Sequence, residues 1–195
     1  IQGCIFIGNF LSIATCFLLT TAGGFTVDSC VFRDTSAILG FLSIITTTVS
    51  VNSDGLTFTN NEVQSDATTT PGPTIVVANT LDRLTIKGNV ITHSTINNNV
   101  SCVLAHGALV VTHLDMSNNT VYTVNTDTAT GGTLITTSAT TGSGQVYYNL
   151  VCGIDTAAVV LCTATAVQYA FYNNYYCDRT TVSSGYLEPP ATTDT

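Results

Sequence analysis

Charged residues are scarce in this chain. Asp, Glu, Lys and Arg make up only 8% of the 195 residues, and twelve acidic residues against four basic ones give a formal net charge of −8. A surface that binds nucleic acid or anionic lipid needs a cluster of Lys and Arg, which this composition does not supply. We therefore expect no nucleic-acid partner.

A long uninterrupted apolar segment is also lacking. Segment Ile1–Leu19 is apolar overall, but Gly8, Asn9, Ser12 and Thr15 interrupt it, and no positive charge precedes its apolar residues. It is therefore typical of neither a transmembrane helix nor a secretory signal peptide. We expect no membrane insertion, although 45% of the residues are apolar and supply an ample core.

Helical and catalytic patterns are missing as well. No window rich in Ala, Glu, Lys and Leu shows the 3.6-residue period of an amphipathic helix. There is no glycine-rich phosphate loop, nucleophile elbow, metalloprotease motif or zinc-type cluster of Cys and His. These patterns predict no catalytic residue, no metal site and no cofactor.

What the chain does contain is a repeat. In "LDMSNNTVYT", residues 114–123, apolar and polar residues alternate, two asparagines interrupt them, and an apolar residue follows two places later. The pattern occurs seven times, at intervals of 25 to 31 residues. One residue of each copy, here called the corner, aligns the copies: Cys4, Cys30, Asn61, Asn89, Asn119, Asn149 and Asn174.

Apolar residues flank every corner at the same two offsets. Three residues before the corners stand Ile1, Val27, Phe58, Ile86, Met116, Val146 and Phe171. Two residues after them stand Phe6, Phe32, Val63, Ile91, Val121, Val151 and Tyr176. A fixed period of this size is typical of a solenoid, and alternation of period two indicates strands whose apolar residues face the core.

Asparagine suits the corner between two strands. It tolerates a left-handed backbone and hydrogen-bonds its own surroundings, so we expect the corner residue itself to be left-handed. If the copies stack in register, the corners lie about 4.8 Å apart. The side-chain amides of Asn61, Asn89, Asn119, Asn149 and Asn174 would then form a hydrogen-bonded ladder.

Each copy carries further apolar runs between turn-rich segments, which indicates about three short strands per copy. The pattern predicts one all-β domain over residues 1–177, followed by an irregular exit segment over residues 178–195 that contains Pro189 and Pro190. Ile1 lies at an inward position with no capping element before it. We therefore expect the chain to continue upstream in the intact protein, or a partner to cover this end.

On these repeats the chain resembles the right-handed parallel β-helix superfamily, which includes pectate-lyase-like enzymes and the β-helix proteins of phage tailspikes and other virions. The resemblance spans Ile1 to about Tyr176 and implies a right-handed parallel β-helix solenoid of about seven coils. It implies an architecture rather than a function, since this fold carries many functions.

Seven cysteines cannot all pair within one chain. Cys4 and Cys30 share the corner position, where we expect small, reduced side chains that face the core. Cys152 and Cys177 share the position three residues after their corners, where stacking would bring their Cα atoms within disulfide range. The sequence leaves open whether Cys152 and Cys177 form a disulfide or stay reduced.

No carboxylate cluster of the kind that glycan-degrading enzymes need is visible. Acidic residues that share a register are separated by several copies, so their distances exceed those used in glycoside hydrolysis. Asp82 has Arg83 and Lys87 close in sequence, which indicates a solvated surface pair. The three histidines have no visible partners and are expected to be isolated residues of strands and turns: His93, His106 and His113.

Tyrosines crowd the C-terminal third of the chain. Tyr147 and Tyr172 share an outward register in successive copies, where they could stack on sugar rings, lie in a subunit interface, or simply be surface residues. Two glycosylation sequons begin at Asn99 and Asn118, and they matter only if the source glycosylates its proteins. Asn118 is expected to face outward.

The leading hypothesis is a non-enzymatic structural protein on the surface of a virus or phage particle, such as a decoration, spike or fibre module, with surface glycans as candidate ligands. The alternatives are a glycan-degrading enzyme of the tailspike or pectate-lyase kind, and a bacterial surface adhesin. We expect a virion-surface or extracellular location. With so few charges on its outer strands, and with the side-by-side trimers that the resemblance implies, a homotrimer in contact with other virion or surface proteins is expected.

Overall fold

The computed structural model describes residues 1–8, 14–20, 24–34, 41–47, 55–65, 74–93, 101–106, 111–123, 133–137, 143–153, 160–162 and 168–177. These residues form nineteen short strands and no helix. The strands, in chain order, are β1 Ile5–Gly8, β2 Ala14–Leu19, β3 Phe25–Asp28, β4 Val31–Asp34, β5 Phe41–Thr47, β6 Leu56–Thr59, β7 Glu62–Ser65, β8 Ile75–Val77, β9 Leu81–Lys87, β10 Val90–His93, β11 Ser101–His106, β12 Val111–Ser117, β13 Thr120–Thr123, β14 Thr133–Thr137, β15 Ser143–Tyr147, β16 Leu150–Gly153, β17 Val160–Cys162, β18 Gln168–Tyr172 and β19 Tyr175–Cys177.

The strands build three sheets in which every pairing is parallel. The first sheet has the order β1-β4-β7-β10-β13-β16-β19, the second β17-β14-β11-β8-β5-β2, and the third β18-β15-β12-β9-β6-β3. Each sheet therefore takes every third strand; the first sheet has one strand for each of the seven repeats, and the second and third sheets have six strands each. Parallel neighbours cannot be joined by a tight hairpin, so the intervening strands serve as the crossover.

The pairing register follows the sequence repeat. In the third sheet the residues three before the corners are directly paired, as in Phe58 with Ile86 and Ile86 with Met116. In the first sheet the residues two after the corners are paired, as in Val63 with Ile91 and Ile91 with Val121. Register is specified this strongly because a slip of one residue would turn every apolar side chain outward.

These paired columns form the core. The described side chains of the third-sheet column from Val27 to Val146 and of the first-sheet column from Phe32 to Val151 are all at most 5% exposed. The second sheet adds the paired column of Ile45, Ile75, Leu104 and Ile135, each buried. Phe6 stacks on Phe32 with ring centroids 4.9 Å apart, so aromatic packing continues the core towards β1.

The left-handed residue of each corner differs from the sequence expectation. The residue before the corner, not the corner itself, has positive φ in all seven repeats: Gly3, Ser29, Asn60, Gly88, Asn118, Tyr148 and Asn173, with φ from 53° to 68°. This explains the Asn-Asn pair in "LDMSNNTVYT". Asn118 makes the left-handed bend and faces solvent, while Asn119 points inward and is 1% exposed.

The N-terminal end also differs from expectation. Ile1 is 45% exposed and Cys4 is exposed, although their sequence positions are those of core residues. Among the described residues, both lie at the end of the stack and contact the next repeat on one side only: Ile1 hydrogen-bonds to Thr26 and Asp28 of β3, and Cys4 to Cys30. The exit segment 178–195 lies outside the described residues. In the described residues, no helix has the length and apolar character needed to cross a membrane.

Candidate functional site

The corner asparagines form a continuous row of side chains inside the protein. Asn61, Asn89, Asn119 and Asn149 are each at most 2% exposed. The Nδ2 atom of each asparagine donates to the Oδ1 atom of the asparagine in the next repeat, at 3.1, 2.9, 2.9 and 2.9 Å, and the row ends at Asn174. We call this row the amide ladder.

The ladder also satisfies the backbone at the corners. Asn119 Oδ1 accepts from the backbone N–H of Asn89 at 3.0 Å, and Asn119 Nδ2 donates to the carbonyl of Ile86 at 2.9 Å. With its two ladder bonds, Asn119 therefore makes four hydrogen bonds and leaves no part of its amide unused. Only a short side chain that both donates and accepts can do this, which is the physical reason for asparagine here.

Cysteine replaces asparagine at the first two corners and ends the amide ladder. Cys30 N–H donates to Asn61 Oδ1 at 2.9 Å, while Cys30 Sγ accepts from the backbone N–H of Cys4 at 3.4 Å. Each thiol donates to the carbonyl two residues before it, Cys30 to Asp28 and Cys4 to Gln2. Both thiols are free in this structure, so these two cysteines replace the amide by weaker hydrogen bonds.

Asp28 joins three repeats on the outer face next to the corners. Its Oδ1 accepts from the Thr59 hydroxyl at 2.7 Å and from Asn60 Nδ2 at 2.9 Å, and its Oδ2 accepts from Ser29 and Gln2 at 3.1 Å each. The hydrogen bond from Thr59, followed by those from Asn60, Ser29 and Gln2, lowers the pKa of Asp28 because they favour the ionised form. This carboxylate is therefore a structural acceptor rather than a free acid.

Three tyrosines gather on the outer face of the third sheet at its C-terminal end. Tyr147 and Tyr172 are directly paired, and their rings stack with centroids 5.0 Å apart and planes 5° from parallel. The ring of Tyr148 packs against Tyr147 at 71° with centroids 5.4 Å apart. The hydroxyl of Tyr172 donates to Gln145 Oε1 at 3.0 Å, which fixes its ring. We call Tyr147, Tyr148 and Tyr172 the tyrosine cluster.

Tyr148 adopts a backbone conformation that bulky residues avoid. Its φ is 53°, at a position where the other repeats have Gly, Asn or Ser. Its side chain is 57% exposed, so burial does not compensate for the strain. Strain held in this way is a reason to look for a role at the site.

Two polar atoms beside the cluster have no hydrogen-bond partner within the described structure. They are Asp115 Oδ1 and Ser117 Oγ, and both atoms are buried. Ser117 is paired with Tyr147 and so lies in the outward column of Tyr147 and Tyr172, while Asp115 is paired with Gln145 in the next outward column. Burial is the first cause that raises the pKa of the Tyr172 phenol, and Tyr147 and Asp115 add to it, so Tyr172 stays protonated.

The structure places the charged residues singly or in surface pairs. Arg33 lies 3.2 Å from Glu62 across β4 and β7. Nδ1 of His113 lies 3.7 Å from Asp82 Oδ1 and 3.3 Å from the backbone carbonyl oxygen of Asp82. The described partner of Asp82 is therefore His113 and not Arg83 or Lys87, and His113 is not an isolated residue. Exposed pairs of this kind contribute little stability.

The remaining predicted residues have only partial descriptions. Cys152 and Cys177 are directly paired in β16 and β19, while their side chains lie outside the described part. His93 and His106 lie in β10 and β11, and their side chains are likewise not described. Asn99 lies outside the described residues, and Asn118 is exposed.

Sequence reasoning singled out Tyr147 and Tyr172 but missed Tyr148, Gln145, Asp115 and Ser117. One signal was present for the last three. In the aligned repeats, the residues two and four before the corner alternate with the core position, so they must face outward. For Tyr148 no such signal existed, because the bend that exposes it involves the backbone.

The described residues show no assembled metal site. No three or more side chains of His, Cys, Asp or Glu in that part of the chain lie close enough together to hold a metal ion.

Comparison of the chain with protein-family models, with curated proteins and with solved structures found no match in any of the three. Any functional conclusion therefore depends on the geometry of this chain alone.

Proposed function

We propose that this chain is a right-handed parallel β-helix that serves as a non-enzymatic structural module on the surface of a virus or phage particle. The observation that carries the proposal is the amide ladder, which continues without a break from Asn61 to Asn174 beside the apolar core. Successive repeats are joined by main-chain pairing and by this ladder, so the stack is a stiff rod. A stiff rod with few charges is suited to a spike, fibre or decoration.

The outer face of the first sheet supports self-association. Its outward column pairs Ile5, Val31, Glu62, Val90, Thr120, Leu150 and Tyr175 in one register. Five of these seven residues are apolar or aromatic, and Ile5, Val90 and Tyr175 are 69%, 47% and 67% exposed. Exposed apolar patches on a protein of few charges favour contact with another molecule. We call Ile5, Val31, Val90, Leu150 and Tyr175 the apolar stripe.

The apolar stripe spans all seven strands of the first sheet and is therefore about 29 Å long. A straight stripe along a rod matches the same stripe on a second rod that lies beside it. Three copies placed side by side around one axis would bury all three stripes, which is the homotrimer that we propose. Glu62 is the one charged residue of this column, and it forms an ion pair with Arg33 of the same chain.

Surface glycans are a second proposed ligand, favoured by the tyrosine cluster. Tyr147 and Tyr172 cover one face of each other's rings, so a sugar would meet ring edges, hydroxyls and the outer face of the pair.

A glycan-degrading enzyme is less well supported. Among the described residues, Asp82 of β9 and Asp115 of β12 lie on adjacent strands but three positions apart in the pairing register, so the backbone, with their Cα atoms about 11 Å apart, does not set them side by side as a catalytic pair.

Light scattering coupled to size exclusion tests the assembly. The parent chain should elute as a trimer, and Val90→Lys, in the middle of the apolar stripe, should elute as a monomer with an unchanged circular dichroism spectrum. The matched control is Thr85→Lys, which adds the same charge to the outer face of the third sheet and should leave the trimer intact. A monomeric parent at micromolar concentration would refute the assembly.

Antibody labelling tests the location. An antibody raised against the purified chain should label intact particles in electron micrographs without detergent. Labelling only after the particles are opened would refute a surface location, and labelling of bacterial envelopes instead would favour the adhesin alternative.

A further inference from the structure

The tyrosine cluster also has the geometry of a covalent modification site. Tyr147 and Tyr172 occupy directly paired positions of adjacent parallel strands, so the backbone holds their rings in register. The ring centroids are 5.0 Å apart and the ring planes are within 5° of parallel, and both side chains are partly exposed at the surface. The hydrogen bond from Tyr172 to Gln145 limits rotation of the Tyr172 ring.

We propose that Tyr147 and Tyr172 are the site of an intrachain dityrosine cross-link, formed by a haem peroxidase with hydrogen peroxide as the oxidant. The link would join the last two repeats on the third sheet. This inference uses only the geometry of the two rings and does not depend on the proposed location or assembly.

The reaction balances as follows. Each phenol loses one electron and its hydroxyl proton to the oxidised haem, which leaves two phenoxyl radicals. The radicals couple through the ring carbons ortho to the oxygens and form one carbon–carbon bond. The hydrogen on each of these two carbons then moves to the phenolic oxygen as a proton and restores two phenols. Overall, one hydrogen peroxide accepts two electrons and two protons, and two waters are released.

The register explains why this pair, and not another, should couple. Tyr148 also contacts Tyr147, but its ring is turned by 71° and its backbone is held left-handed, so these two rings do not lie face to face. Tyr175 lies on the first sheet and has no tyrosine as a strand partner, because its described neighbour in the pairing is Leu150. Radicals formed at Tyr148 or Tyr175 would instead couple between molecules.

The link would restrain the end of the three-sheet stack. Strands β18 and β19 are terminal in the third and first sheets, so each has a described neighbour on one side only. Terminal elements open most easily, and a covalent closure between residues 147 and 172 removes freedom from the opened state. We expect amide exchange in β18 to slow by more than about fivefold once the link forms.

The experiment oxidises the full chain with peroxidase and hydrogen peroxide at low protein concentration. Under denaturing conditions the expected product runs as a single chain that has lost two hydrogen atoms, shows dityrosine fluorescence, and yields one cross-linked peptide containing Tyr147 and Tyr172. Tyr172→Phe keeps a stacked ring but has no phenol, so it should form no intrachain link. Tyr148→Phe and Tyr175→Phe should retain the link.

The alternative products separate clearly. Cross-linked dimers or trimers with no intrachain product would overturn the proposal and place the tyrosines in an interface between copies. An intrachain link that survives in Tyr172→Phe, or no link while added free tyrosine is coupled in the same tube, would also overturn it. Unchanged amide exchange in β18 after complete coupling would refute the restraining role.

Discussion

Replacing Asn119 by Leu removes the central amide of the ladder without a large change in side-chain size. Four hydrogen bonds are lost, and the backbone N–H of Asn89 loses the acceptor that Asn119 Oδ1 provides. Asn89 Nδ2 keeps its bond to Phe58, and Asn149 Oδ1 keeps its bond from the backbone N–H of residue 119. The buried N–H of Asn89 and the carbonyl of Ile86 therefore both lose the partner that the Asn119 amide supplied.

The free-energy loss follows from these contacts. Four bonds at about 1 kcal/mol each, reduced by about 1 kcal/mol for the apolar surface that Leu buries, give a destabilisation of about 2–4 kcal/mol. Urea unfolding followed by circular dichroism at constant m value measures it as a shift of the midpoint. The matched control is Asn118→Gly, which keeps the left-handed bend at an exposed position and should change stability by less than about 0.5 kcal/mol.

A second substitution at the same position separates hydrogen bonding from packing. Asn119→Asp keeps the two acceptor contacts from Asn89 but places a second oxygen against the Ile86 carbonyl and Asn149 Oδ1. The buried carboxyl should have a raised pKa in the folded state, so this variant should regain stability as the pH falls below that value. An Asn119→Leu protein that unfolds at the same urea concentration as the parent would refute the role of the ladder.

Three further predictions concern the N-terminal half. Gly88→Ala should destabilise by about 1–2 kcal/mol in urea unfolding, since φ is +68°, and the exposed Asn60 side chain must also turn aside because the added Cβ would lie 2.7 Å from its Oδ1. Gly3→Ala, with φ +65° and open space, should cost no more, and a larger loss in Gly3→Ala would contradict this prediction. Cys30→Asn should raise the free energy of unfolding in urea by about 1 kcal/mol because it extends the amide ladder by one residue, while Cys30→Ser should not raise it. A lower free energy of unfolding in both variants would show that this corner cannot accommodate the asparagine side chain. The hydrogen bonds from Thr59 and the other donors hold the folded pKa of Asp28 below 3.8, so their stabilisation is present above about pH 4 and lost as the pH falls through the folded value. The melting temperature of Asp28→Asn should therefore fall less steeply with acid than that of the parent, and parallel plots of melting temperature against pH for the two proteins would contradict this prediction.

Much of the fold could be predicted because the signal is local. Alternation of period two marks the strands on both sides of each corner, and the inward residues follow from it by parity. The buried columns through Phe58, Ile86 and Met116 are the residues that this parity selects. The five asparagines could be aligned for the same reason, since the corner interrupts the alternation in a recognisable way.

The tertiary structure decided what depends on contacts between repeats. Asp82 pairs with His113 of the next repeat rather than with the nearby Arg83 or Lys87, because neighbouring strands bring residues 31 positions apart side by side. The shared register of Tyr147 and Tyr172 followed from the aligned repeats, whereas the stacking of their rings and the exposure of the apolar stripe are decided by the packing. The left-handed Tyr148 is decided by the stack as well, since seven corners share one backbone path and a residue there must adopt it regardless of its own preference. Sequence alone therefore determined which residues face the core, through short-range alternation, and the packing of successive repeats determined which surface residues meet.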